Sequence, residues 1–192
     1  MRSDHPLFTI GHSNHPVDDF LALLARQRVE TVADVRSVPY SRFAPQYRKA
    51  ALAAALAAAG IGYLFLGAQL GGKPRRGELA AARLDYAGRV REPTFRDGIA
   101  QLLAAVRQAR VALLCRERDP LDCHRLHLIC RHLAPAGLDI RHILPDGRIE
   151  PQSDTERRLL ARADAPLLAI GGPAVQADAL RQEYDRWWRE NR

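Results

Sequence analysis

The chain has 192 residues, of which 47% are apolar and 27% are charged. That length and balance fit one compact domain and leave little room for a second. The formal net charge is +7, and only two of the 29 basic residues are lysines. A surplus made almost entirely of guanidinium groups favours an anionic partner, either a small molecule such as a nucleotide or a nucleic acid. An arginine-rich genome would give the same composition without any such partner.

Cysteine usage and hydropathy limit the compartments and partners. The chain has three cysteines, and it has neither a signal-peptide core nor an apolar run approaching the ~20 residues of a membrane-spanning helix. An odd cysteine count at this length argues against a disulfide framework and for a reducing compartment. We therefore expect a cytoplasmic protein with no membrane partner, present as a monomer or a homodimer.

Short β-type runs alternate with segments of helical period along most of the chain. The runs that predict strands are 7–10, 31–35, 61–66, 111–115 and 139–144. The helical segments between them start near Val17, Arg48, Pro93 and Pro120. Ser13 or Asn14 is expected to cap the first helix and Asp122 the fourth.

This alternation predicts an α/β fold, because strands joined by helices form right-handed crossovers in a mostly parallel sheet. We expect a Rossmann-like three-layer domain over residues 1–150, with helices on both faces of the sheet. Residues 151–192 are expected to form a C-terminal helical extension packed on the same domain. The extension contains a helix near Thr155 to Arg162, an apolar run at Leu167–Ile170 and a last helix that carries Trp187 and Trp188.

Polar clusters follow three of the predicted strands, at the carboxyl ends where open parallel sheets bind ligands. The residues that we select there are His12 and Ser13 after the first strand, Arg36, Ser37, Tyr40 and Ser41 after the second, and Cys115, Arg116, Glu117, Cys123, His124 and Arg125 after the fourth. Their convergence predicts a single site.

The cysteines suggest thiol chemistry at this site. Cys123 lies at or just before a helix N-terminus, and that position together with nearby arginines favours a thiolate. We predict a thiol-dependent enzyme in which Cys115 or Cys123 is the nucleophile and Glu117, His124 or His12 moves protons. The anionic substrate would be bound by Arg36, Arg116 and Arg125 together with His12, Ser13, Ser37, Tyr40 and Ser41.

Two other functions use the same residues. The segment from Arg36 to Lys49 interleaves guanidinium groups with aromatic rings, which is typical of single-stranded nucleic-acid binding, and the cysteines would then be structural. Alternatively, the protein is a thiol redox or metal sensor, in which Cys115 and Cys123 form a reversible disulfide or bind zinc together with His124 and His12. Neither a phosphate-binding loop nor a dinucleotide fingerprint is present, so we expect no cofactor and list no metal ligand.

Four motifs resemble one family. Thr9–Ser13, Asp34–Ser41, the turn at Leu70–Gly72, and Leu114–Glu117 with Cys123–Arg125 are similar in order and spacing to the bacterial domain of unknown function 488 family. The resemblance implies an α/β domain over about residues 8–145, with a shared site built from the Cys-x-Glu and Cys-His-Arg elements. It implies no settled reaction. A fainter likeness, at Asp34–Arg36 and Cys115, is to rhodanese-type sulfurtransferases, in which Cys115 would carry a persulfide.

Overall fold

The computed structural model describes residues 5–72, 85–163 and 172–191. Its strands are β1 (Leu7–Gly11), β2 (Thr31–Asp34), β3 (Gly62–Phe65), β4 (Val111–Cys115), β5 (Ile140–Ile143) and β6 (Ile149–Pro151). They form one sheet in the order β3-β2-β4-β1-β5-β6, in which all pairs are parallel except β5 with β6. The predicted mostly parallel α/β sheet is confirmed.

The described helices are α1 (Val17–Arg26), α2 (Lys49–Ala58), α3 (Gly67–Leu70), α4 (Tyr86–Arg91), α5 (Pro93–Gln108), α6 (Arg131–Leu133), α7 (Gln152–Arg162) and α8 (Pro173–Glu190). Short 3-10 turns occur at Pro45–Tyr47, Pro120–Asp122 and Ala134–Ala136, and a π-helical segment, Arg125–Cys130, leads into α6.

The helices cover both faces of the sheet and divide the core in two. Alternate strand residues point to opposite faces, so Leu7 and Leu113 pack with α5 and α8, while Phe8 and Leu114 pack with α1 and α2. Strands buried on both faces are mostly apolar, which explains the continuous apolar run of β4 and the run of β1, where the one polar side chain, Thr9, is hydrogen-bonded to His142. This confirms the three-layer arrangement.

Local details differ from the sequence predictions. Strand β6 was not predicted, because three residues are too few to show a period. Neither Ser13 nor Asn14 caps α1, which begins directly after Pro16 without a side-chain cap. The predicted cap at Asp122 is also wrong, since Asp119 accepts the backbone hydrogen bond of Leu121 at this turn.

The C-terminal helices pack on the sheet and on the π-helical segment. The boundary expected at residue 150 falls inside β6, and Tyr184 and Trp188 belong to the larger core cluster. The indole Nε1 of Trp188 donates to the carbonyl of His127 at 3.1 Å. The run Leu167–Ile170 lies outside the described residues. Within the described ranges, every helix is too short or too polar to cross a bilayer.

Candidate functional site

The carboxyl ends of β1, β2 and β4 are adjacent in the sheet, so the segments that follow them meet. Gly11 pairs with Cys115, and the amide of His12 donates to the Cys115 carbonyl at 3.0 Å. Above these strand ends lies a cavity of about 520 Å³. It is lined by nine residues selected from the sequence: His12, Arg36, Ser37, Tyr40, Ser41, Cys115, Arg116, Glu117 and His124.

Four donor and acceptor groups converge at one end of the cavity. Oε2 of Glu117 lies 3.0 Å from Sγ of Cys115 and 3.2 Å from Sγ of Cys123, and both cysteines are free thiols. Nδ1 of His124 lies 3.5 Å from Sγ of Cys115 and 3.9 Å from Sγ of Cys123. The other ring nitrogen of His124 is 3.2 Å from the Val35 carbonyl. A carbonyl only accepts, so Nε2 carries a proton and Nδ1 is left to face the sulfurs.

The surroundings of the two thiols shift their pKa values in opposite directions. Burial raises the pKa of Cys115, but the hydrogen bond from Cys123 and the neighbouring His124 outweigh burial and bring it well below its usual range. Burial and the neighbouring Cys115 sulfur raise the pKa of Cys123 well above its usual range. Burial lowers the pKa of His124, yet the Cys115 sulfur raises it further, so the net shift is upward. Cys115 is therefore the thiol set up to ionise.

The same donors could hold a metal ion. The ligand atoms of Cys115, Cys123 and His124 all lie within 4.8 Å of one another. Two sulfurs and an imidazole nitrogen are donors that zinc prefers, and Oε2 of Glu117 beside both sulfurs would be a fourth. His12, which the sequence suggested as a further ligand, is outside this group.

Arg36 presents a fixed guanidinium to the cavity. It forms a two-point ion pair with Asp34, with Nε to Oδ1 at 2.9 Å and a terminal nitrogen to Oδ2 at 2.7 Å. Its other terminal nitrogen donates to the Tyr47 carbonyl, and Tyr63 donates to Asp34 at 2.7 Å. These bonds set its orientation, and they leave the remaining N–H groups of the cavity-lining guanidinium for an anion.

His12 lines the same cavity and is neutral near pH 7. Its ring stacks on Tyr47 at 4.1 Å, and its Nδ1 donates to the carbonyl of Ser13 at 2.9 Å. Burial, assisted by the charge of Arg36, lowers the pKa of His12 to about 4. His12 can therefore accept a hydrogen bond through Nε2 but does not supply a positive charge.

Three of the selected residues, Ser13, Cys123 and Arg125, do not line the cavity. Ser13 turns away in a left-handed conformation with φ 46°, and its amide donates to the Arg116 carbonyl. Arg125 is fully buried, and its terminal nitrogens donate to the carbonyls of Glu117 and Arg118 at 2.7 and 3.2 Å. Arg125 therefore holds the loop that follows β4, and we no longer assign it to substrate binding.

The cavity wall also contains residues that the sequence did not point to. Trp187 lines it from α8, Asn191 lines it directly after that helix, and Gly72 lines it beside His124. A Cβ on Gly72 would come within 2.7 Å of the His124 ring. A glycine at this position therefore leaves the space that the ring occupies. The Gly-Gly turn was the only signal for Gly72. No sequence pattern connects α8 with β4, because the two are about 70 residues apart in the chain.

The model of one protein family, the domain of unknown function DUF488, matches residues 16–131. This stretch is more than half of the chain. It contains the polar residues that follow β2, both site cysteines, Glu117 and His124. The chain belongs to the DUF488 family. A search of curated proteins and a search of solved structures each found no match. Membership confirms the resemblance seen in the motifs, and the likeness of this DUF488 domain to rhodaneses stays an analogy.

Proposed function

We propose that this DUF488 protein is a thiol-dependent enzyme that acts on a phosphorylated or otherwise anionic substrate, with Cys115 as its nucleophile. The observation that carries the proposal is the cluster of Cys115, Cys123, Glu117 and His124 at one end of a cavity that also presents a guanidinium from Arg36. Nucleophile, proton carriers and anion binder are the parts that such a reaction needs.

Cys115 is a better nucleophile than Cys123 on geometric grounds. Cys115 lines the cavity, whereas Cys123 does not, so only the first sulfur faces a bound molecule. Its thiol is in contact with two groups that can take its proton, the Glu117 carboxylate and Nδ1 of His124. Cys123 lies away from the cavity. Its S–H donates towards the Glu117 carboxylate, and the amide of Arg125 donates to its sulfur at 3.4 Å.

The proposed reaction is a displacement at a phosphorus, sulfur or carbonyl centre. Arg36 and Arg116 bind the anionic group and turn its electrophilic atom towards Cys115. Sulfur attack forms a bond to that atom, and the leaving group departs with its electron pair and takes a proton from His124. A water molecule or a second acceptor then removes the transferred group and restores the thiolate.

Competitive alkylation tests this proposal. The native reduced protein is treated with limiting iodoacetamide, and the modification of each cysteine is followed by peptide mass spectrometry. We expect Cys115 to react first and inorganic phosphate to slow it. Cys130 serves as the internal control, because burial raises its pKa to about 12 and no part of it lines the cavity. Equal rates for Cys115 and Cys130, or no effect of phosphate on Cys115, would count against the proposal.

The convergence of donors at Cys115, Cys123 and His124 also supports a second candidate function, a zinc centre. Elemental analysis of freshly purified protein separates the two. Stoichiometric zinc in the wild type and in Cys130→Ser, but not in Cys115→Ser or Cys123→Ser, would establish the metal centre and remove free-thiol catalysis. Metal-free protein with a fast-reacting Cys115 would remove the metal centre and support free-thiol catalysis.

A further inference from the structure

One loop carries most of the exposed apolar surface of the described chain. Large hydrophobic side chains are exposed at four described positions, and three of these lie between β2 and α2: Val38 at 69%, Tyr40 at 64% and Phe43 at 85%. The fourth is Val175 on α8. Two aromatic rings so close in sequence, both in water and one of them, Tyr40, lining the cavity, are unfavourable unless something covers them. The loop Val38–Phe43 is therefore a candidate binding surface.

Each of the two rings is paired with an arginine. The guanidinium carbon of Arg42 lies 4.8 Å from the centre of the Phe43 ring, and that of Arg48 lies 4.6 Å from the centre of the Tyr40 ring. The high exposure of the rings leaves their other faces open to solvent. A ring with a cation on one face and a free second face is suited to stacking with a planar group that carries negative charge nearby.

The loop is held in this conformation by its own hydrogen bonds. The hydroxyl of Ser41 accepts from the amides of Phe43 and Ala44 at 3.2 and 3.1 Å. Nε of Arg48 donates to the Ser41 carbonyl, and the amide of Lys49 donates to the Pro39 carbonyl, both at 3.0 Å. A surface that is ordered in advance loses little conformational entropy when it binds.

The arginines of this surface keep their charge free of ion pairs. Ten arginines form ion pairs with carboxylates of the described residues, among them Arg131, Arg158 and Arg181. Arg42, Arg48 and Arg116 are among the arginines of that same part of the chain that have none. Unpaired guanidinium groups beside open aromatic rings match a partner that offers both phosphates and bases.

We infer that the loop Val38–Phe43 binds single-stranded nucleic acid, with bases stacked on Tyr40 and Phe43 and phosphates neutralised by Arg42, Arg48 and Arg116. A single strand fits better than a duplex, because bases inside a duplex present no free face to the rings. Val38, Tyr40 and Ser41 also line the cavity, so a strand bound on the loop would continue towards Arg36 and Cys115. The binding of the strand depends only on the loop. The further statement that the bound strand is the substrate rests on the proposed function.

Fluorescence anisotropy with 15-nucleotide oligothymidylate and oligouridylate tests the inference. We expect Phe43→Ala and Tyr40→Ala each to weaken binding about tenfold or more, because each removes one stacking platform. The affinity should fall with salt, and Arg42→Gln should reduce the slope of log affinity against log salt by about 0.7, as expected for one lost phosphate contact on a single strand.

Matched controls come from α8. Val175→Ala removes the remaining exposed hydrophobic side chain, and Arg181→Gln removes an exposed arginine that is paired with Asp178, so both should leave the affinity unchanged. Cys115→Ser should bind as tightly as the wild type, which separates failure of this inference from failure of the proposed chemistry. Absent binding, tighter binding to a duplex of the same length, or equal losses in Phe43→Ala and Val175→Ala would overturn the inference.

Discussion

Arg125 lies under the loop that connects the two site cysteines and acts as its internal support. Its guanidinium is completely buried and donates to two consecutive carbonyls, those of Glu117 and Arg118. Backbone carbonyls that point into the protein need such partners, since an unpaired one costs about 1–3 kcal/mol. The position of the Glu117 carboxylate beside both sulfurs thus depends on a residue that does not line the cavity.

Replacing Arg125 should therefore affect both stability and the thiols. In Arg125→Met we expect the free energy of unfolding to fall by about 2–5 kcal/mol, because two carbonyls lose their donor. Urea unfolding followed by circular dichroism measures this loss. In the protein that remains folded, the alkylation rate of Cys115 should no longer exceed that of Cys130.

The matched control for this variant is Arg141→Met. Arg141 forms an exposed ion pair with Asp139, for which a change of less than about 1 kcal/mol is expected. Equal stability of the two variants would show that the buried guanidinium does not support the loop.

Much of the site could be predicted at the level of residues, because parallel strands bring their carboxyl ends to one edge. Nine of the selected residues do line one cavity. Arg125 was misplaced, since a sequence shows an arginine near a site but not whether its guanidinium faces solvent or a carbonyl. The pairing of Glu117 with both sulfurs depends on how the loop turns back, and no periodic pattern records such a turn.

At the level of elements, the contact between β1 and the loop after β4 requires a glycine. A Cβ on Gly11 would lie 1.8 Å from the carbonyl oxygen of Glu117 and 2.8 Å from the guanidinium of Arg125. The first of these is a backbone atom and cannot turn aside as a flexible side chain would. The last residue of β1 thus sets how closely this loop approaches the sheet.

We expect Gly11→Ala to lower the free energy of unfolding by about 1–3 kcal/mol, as overpacking does in well-packed interiors, and to displace Glu117. Thermal unfolding and the alkylation rate of Cys115 are the measurements. Gly172→Ala is the control, because a Cβ there meets nothing within 4 Å and its φ of −62° suits any residue. A melting temperature of Gly11→Ala equal to that of the control would contradict this explanation.

The elements themselves were predictable where burial is regular and were missed where it is not. The five longer strands are confirmed because each is a short, mostly apolar run between helical segments, most regularly in β4, which is buried and apolar throughout. Strand β6 and the π-helical segment Arg125–Cys130 were not predicted. The first is too short, and the second differs from an α-helix only in its hydrogen-bond spacing, which the sequence does not specify.

At the scale of the whole molecule, buried histidines make stability depend on pH. His142 lies between the hydroxyl of Thr9 and the side-chain oxygen of Gln152, each at 2.8 Å, and burial lowers its pKa to about 4. His127 stacks on Trp187 at 4.3 Å, and burial likewise lowers its pKa to about 4. Both rings are thus neutral in the folded protein between pH 4 and 6.5, where the unfolded chain binds protons.

Because the unfolded state binds more protons in that window, stability is highest above about pH 6.5 and is lost as the pH falls. Each histidine should contribute a slope of up to about 1.4 kcal/mol per pH unit between pH 6 and 5. Urea unfolding at pH 7.5, 6 and 5 measures it. His142→Gln keeps a hydrogen-bonding side chain and should give a shallower slope than the wild type. A free energy of unfolding that stays constant from pH 7.5 to 5 would rule out this linkage.

On the proposed function, the residues that react and those that select the substrate come from different parts of the chain. The thiols, Glu117 and His124 lie inside the stretch that the family model matches, whereas Trp187 on α8 and Asn191 directly after it lie beyond that stretch. Mutations in α8 could therefore enlarge, narrow or recharge the entrance while leaving the sulfurs untouched. A domain organised in this way can change its substrate during evolution while its reacting residues stay the same.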